Sequence, residues 1–123
     1  MTSTFKENIL GAWTRTENTE IKHGTAIETF YQDGTKMTQV FIASSNEPIK
    51  TINARSTWKI VKNTLTEKVI DIDKEFSVQY GIKTGFVVRS YISHLDENVL
   101  TVKNLNNKHV RDNATTFKRF IEQ

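Results

Sequence analysis

The chain has 123 residues, no cysteine and one proline, and its 17 lysines and arginines outnumber its 14 aspartates and glutamates, for a net charge of +3. That length predicts one domain spanning residues 1–123. The missing cysteines exclude a disulfide framework, a thiolate metal site and a cysteine nucleophile, and no apolar run approaches the roughly 18 residues of a membrane-spanning helix. The basic residues are interleaved with acids, as in Glu67-Lys68 and Asp73-Lys74-Glu75, whereas a nucleic-acid footprint is a clustered stripe, so nucleic acid is not expected as a partner. A hydrophobic content of 37% predicts a thin core. Met1–Leu10 places Lys6, Glu7 and Asn8 where an export leader needs an unbroken apolar stretch, so a cytoplasmic location is the expectation.

Thr4 and Glu7 have the spacing of a capping box, Phe5 and Ile9 share a helical face, and Gly11 supplies a stop, which predicts a two-turn helix over Phe5–Leu10. From Trp13 onward the apolar period changes from that of a helix to that of a strand, and β-branched and aromatic residues dominate. Ala26, Glu28 and Phe30 alternate with Ile27, Thr29 and Tyr31; after Asp33-Gly34, Met37, Gln39 and Phe41 alternate with Thr38, Val40 and Ile42, which predicts a hairpin. Ser44–Lys50 contains Pro48 and reads as a loop before a strand over Ala54–Val61. Lys62-Asn63 turns the chain into a strand over Thr64–Asp73. Lys74–Thr84 is a longer polar connection in which Phe76, Val78 and Tyr80 fit either a short strand or a helical turn. Phe86–Leu95 is the most strand-like segment; Asp96-Glu97-Asn98 leads to Val99–Leu105, and Asn106-Asn107 to a final run over Lys108–Phe120.

The total is about eight antiparallel strands joined mostly by tight turns, with no second helical layer. A closed up-and-down barrel is favoured over a sandwich, because sequential hairpins close a sheet naturally and closure removes edge strands. An eight-stranded barrel has room inside for side chains or for one small ligand.

Four segments together are similar to a known family: the short N-terminal helix, Gly11-Ala12-Trp13, Glu28-Thr29-Phe30 with Asp33-Gly34-Thr35, and Ser56-Thr57-Trp58-Lys59-Ile60. The chain resembles the small bacterial lipocalin-like domains of the calycin superfamily, whose first strand carries a glycine, any residue, tryptophan motif. The resemblance implies an all-β, eight-stranded antiparallel up-and-down barrel with a short N-terminal helix. It implies that Gly11 and Trp13 close one barrel end beneath a basic side chain near the end of the last strand, with Arg119 the first candidate and Lys118 the second. A cation over an indole contributes on the order of 1 kcal/mol. The chain lacks the disulfides of secreted lipocalins and the glycine-rich extension of haem-binding nitrobindin-like barrels, and no cofactor is expected.

Candidate ligand contacts follow from strand phase. Arg89, Tyr91 and Ser93 share a face, and an arginine fork with a tyrosine hydroxyl suits a carboxylate. This Arg-x-Tyr pair is similar to the carboxylate clamp of intracellular fatty-acid-binding proteins, although there it lies on the last strand. The opposite phase, with Phe86, Val88, Ser90 and Ile92 inside, stays open. Met37, Gln39 and Phe41 form a second face that either lines a pocket or fills the core. Arg55 and Trp58 lie on opposite faces, Trp58 being the better core residue. Glu28, if buried, requires a partner such as Arg89 or Arg55. His94 is a candidate proton carrier at a barrel mouth. His23, His94 and His109 have no metal-ligand spacing, so no metal is expected.

Three functions fit. One is a binding protein, without catalysis, for a small hydrophobic or amphipathic molecule, one bearing a carboxylate among them. Another is a small calycin-type isomerase, cyclase or decarboxylase acting on an unsaturated acid through Arg89, Tyr91, His94 and Glu28. The third is a filled barrel that serves as an interaction domain, monomeric or homodimeric, with Tyr31 or Phe76 in its patch.

Overall fold

The computed structural model describes residues 3–15, 24–44, 47–105 and 114–120. Its elements are α1 (Ser3–Ile9), β1 (Gly11–Arg15), β2 (Gly24–Phe30), β3 (Thr35–Ser44), β4 (Glu47–Val61), β5 (Thr64–Ile72), α2 (Lys74–Tyr80), β6 (Val87–Leu95), β7 (Val99–Asn104) and β8 (Ala114–Arg119). Each strand pairs antiparallel with the next, and β8 returns to β1 to close the expected barrel. The closing register sets Trp13 opposite Arg119.

The turns are set locally. At β2–β3 the Asp33 carboxylate accepts hydrogen bonds from the Thr35 amide at 2.9 Å and the Thr35 hydroxyl at 2.6 Å. At β6–β7 Asp96 accepts from the amides of Asn98 and Val99 at 2.7 and 2.8 Å. At β4–β5 Lys62 adopts a φ of 56°, which is costly for a side chain with a Cβ. The Asn106-Asn107 turn lies outside the described residues.

Three boundaries differ from expectation. The N-terminal helix begins at Ser3, so Thr4 lies within it and not ahead of it, and Gly11 opens β1. Of the loop expected at Ser44–Lys50, Ser44 ends β3 and Glu47–Lys50 begin β4, which runs through Pro48; residues 45–46 lie outside the described residues. Ile42 pairs with Lys50 and Ser44 with Glu47, so β4 spends one extra residue there; Pro48 lies in that bulge, where a missing N–H costs no ladder bond. The open segment after β5 forms a helix, α2. Gly81 caps it at φ 67° and donates its N–H to the Ser77 carbonyl at 2.9 Å. Asp73 ties the helix start to β4, accepting from the Asn53 amide at 2.7 Å.

Inward side chains form two apolar clusters. Ile9, Trp13, Phe30, Trp58, Leu65, Ile92, Leu100 and Phe117 fill the end beneath α1. Ile52 and Ala54 with Phe76 of α2 form the second. Phe76 is therefore buried, which corrects its expected place in an exposed patch; Tyr31 is exposed.

Candidate ligand-binding site

The α1 end is shut by a cation on an indole. The Arg119 guanidinium carbon lies 3.9 Å from the centre of the Trp13 ring. Its Nη2 donates to the Asn8 carbonyl at 2.7 Å, its Nε to the Glu97 carbonyl at 3.0 Å, and its Nη1 to the Leu10 carbonyl. Trp13 Nε1 donates to the Ile9 carbonyl at 2.8 Å. Gly11 has a φ of 107°, and a Cβ there would stand 2.8 Å from Arg119 Nη1. Glycine thus meets a backbone and a space requirement together. Lys118, the second candidate, is exposed.

Between the clusters the barrel interior is charged. Lys36 of β3 is 5% exposed, and its ammonium pairs with Glu28 Oε1 from β2 and Glu67 Oε2 from β5. The same nitrogen lies 5.0 Å from the centre of the Phe30 ring. Burial alone would lower the Lys36 pKa, but the two carboxylates outweigh it and hold the ammonium above the ordinary lysine range. Burial pushes the Glu67 carboxyl up; Lys36 opposes that shift and the like charge of Glu28 adds to it. With all three groups ionised, two carboxylates against one ammonium leave the cluster at −1. Each carboxylate spends one oxygen on Lys36. None of the described side-chain polar atoms is buried without a partner. Both carboxylate residues line the cavity, as does Lys36.

That cavity measures about 350 Å³. Trp13, Phe30, Leu65, Leu100 and Phe117 form its apolar wall toward α1, and Ala54, Phe76, Ile82 and Phe86 the wall at the opposite end. Phe86 is 43% exposed and so sits at a mouth. Thr38, Ser56, Ser90, Asn104 and Thr115 add polar groups around the charged cluster.

Strand phase decides the remaining expected contacts. Val88 and Ser90 line the cavity and Ile92 is buried, so β6 turns Arg89 and Tyr91 outward; Tyr91 is 42% exposed. The expected inward carboxylate clamp is therefore corrected. On β3, Lys36 and Thr38 face inward, which leaves Met37, Gln39 and Phe41 half-buried on the outer face, neither pocket wall nor core. Arg55 is exposed and pairs across the ladder with Asp71, so neither it nor Arg89 partners Glu28; Lys36 does. Trp58 is buried, edge-on to Phe30 with ring centres 5.5 Å apart, and donates to the Tyr31 carbonyl at 3.1 Å. His94 is exposed and bonds Asp96 at 2.8 Å, so the expected catalytic set of Arg89, Tyr91, His94 and Glu28 does not converge. His23 and His109 lie outside the described residues.

Sequence reasoning flagged Glu28 but missed Lys36 and Glu67. Lys36 sits beside the Asp33-Gly34 turn, where a lysine reads as solvated, and Glu67 is followed by Lys68 like the other surface pairs. One signal was available: Glu67 falls in the apolar phase of its strand, between Leu65 and Val69, both of which are buried.

No protein-family model matches the chain, and no curated protein matches it. Among solved structures it is similar to a lipocalin-like protein from Bacteroides uniformis, with a TM-score of 0.60 over 92% of this chain and 99% of that one, at 10% identity. The fold is therefore a lipocalin-like barrel. Among the described residues, no helix is long and apolar enough to cross a membrane.

Proposed function

We propose that this protein binds a small hydrophobic or amphipathic molecule inside the barrel. One observation carries the reading: an interior volume of about 350 Å³ with mostly apolar walls and, among the described residues, one buried charged cluster. Ligand pockets generally run from roughly 300 to 1,000 Å³, with apolar walls and a few polar groups that fix orientation. The lipocalin-like fold supports the same reading, since eight-stranded barrels of this kind have room for one small ligand. The open volume argues against a barrel filled by its own side chains.

The test is titration with 1-aminoanthracene, a neutral apolar fluorophore. Saturable one-to-one binding is expected, and it should be lost in Ala54→Trp and Val88→Phe, which add rings to the cavity, while circular dichroism confirms that each variant folds. Absence of saturable binding, or binding unchanged in both folded variants, overturns the reading.

A further inference from the structure

Resting on that reading, we infer that the barrel selects a ligand with a cationic head, an alkylammonium, and rejects carboxylates. Among the described residues, the charged side chains that line the cavity are Glu28, Lys36 and Glu67. Lys36 is the one cation among them, and both carboxylates already hold it. An entering carboxylate would have to displace Glu28 or Glu67 from Lys36 and then share an apolar enclosure with both. That arrangement places three anions around one ammonium in a low-dielectric interior, where like charges repel strongly.

An amine meets the opposite situation. Glu28 and Glu67 line the cavity and each has a second carboxylate oxygen besides the one that meets Lys36, and with all three groups ionised the cluster carries one negative charge in excess. An ammonium bonded to those oxygens brings the cluster to neutrality through charge-assisted hydrogen bonds, the strong class. Neither oxygen needs to leave Lys36. The apolar tail then has Leu65, Leu100, Val69 and Val88 as neighbours, and the mouth at Phe86 supplies entry.

The experiment displaces bound 1-aminoanthracene at neutral pH with three probes of equal chain length: n-octylammonium, n-octanol and octanoate. Octanol tests the cavity alone, and the charged pair tests the head-group rule. Octylammonium is expected to bind about tenfold tighter than octanol, with octanoate about tenfold weaker than octanol or absent, the scale of adding one charge-assisted hydrogen bond or one like-charge repulsion. In Glu67→Gln the amine advantage over octanol should largely vanish, while circular dichroism confirms that the variant folds. If octanol binds but octanoate matches or exceeds octylammonium in the unaltered protein, the amine assignment is overturned and the cavity reading stands. If none of the three displaces the fluorophore, the amine assignment is overturned, while the saturable binding of the fluorophore still carries the cavity reading.

Discussion

Arg119 gathers carbonyl oxygens from Asn8, Leu10 and Glu97, joining the α1 region and the β6–β7 turn to the end of β8 through one side chain. Truncating it leaves the Trp13 face without its cation and three carbonyls without their donor. Arg119→Ala is expected to cost about 2–3 kcal/mol, the usual scale for removing a charged donor from its partners, read as a fall in the urea midpoint. Gly11→Ala should cost about 1–3 kcal/mol by forcing a Cβ onto a positive φ against that guanidinium. A midpoint unchanged in either variant would show that this barrel end does not depend on the residue. The charged cluster predicts an asymmetric pair of outcomes. Lys36→Met strands two buried carboxylates and should destabilise by about 3–5 kcal/mol. Glu67→Gln leaves the Lys36–Glu28 pair neutral and hydrogen-bonded, so its cost should stay within about 1.5 kcal/mol. Equal losses in denaturant unfolding would contradict the −1 assignment.

At the element scale, local chemistry and tertiary demand conflict in one hairpin. Lys62 holds a left-handed φ of 56° in the β4–β5 turn. The strain of that conformation is roughly 1–2 kcal/mol for a residue with a Cβ, against roughly 0.5–1 kcal/mol of extra chain entropy for glycine. Lys62→Gly should therefore stabilise the protein by about 0.5–1 kcal/mol, visible as a raised urea midpoint; a lowered midpoint would mean that the lysine side chain contributes more than its strain costs. Where turn residues and strand period agreed, as at Asp33-Gly34 and Asp96-Glu97-Asn98, the elements were legible from sequence to within a residue or two. They were not legible at Pro48, whose place depends on a bulge registered against β3, nor in α2. There Phe76, Val78 and Tyr80 have strand spacing, and the helix owes its place to Phe76 packing on Ile52 and Ala54.

For the molecule as a whole, stability in acid is shaped by carboxyl groups shifted in opposite directions. The Asn98 amide, the His94 side chain and the Val99 amide hold the Asp96 carboxyl down to about 2, below its ordinary 3.8. The Thr35 hydroxyl and amide lower Asp33 as well. A depressed carboxylate contributes stability that is present above its unfolded pKa and lost as pH falls through its folded pKa, so these two groups make the protein weaken from about pH 4 toward about pH 2. Glu67, shifted upward, slopes the other way: the folded state holds its proton above the unfolded pKa and gains from acid there. Asp96→Asn should flatten the fall in urea midpoint between about pH 4 and about pH 2, and an unaltered slope would mean that Asp96 plays no part in it.

Residue identity and spacing by themselves determined most of the strands, their antiparallel order and the favoured closure of the barrel, because each depends on period or turn chemistry near one place in the chain; the basic lid over Trp13 came from the family resemblance that Gly11-Ala12-Trp13 carries. They also marked Glu28 as a carboxylate in need of a partner. Only the tertiary structure chose that partner. Lys36 and Glu67 meet Glu28 because the registers from β2 through β5 set which phase of each strand points inward, and a slip of one residue in β6 would have turned Arg89 and Tyr91 inside in place of Val88 and Ser90. The sign of the charge facing a ligand is a sum over three strands, and no single strand carries it.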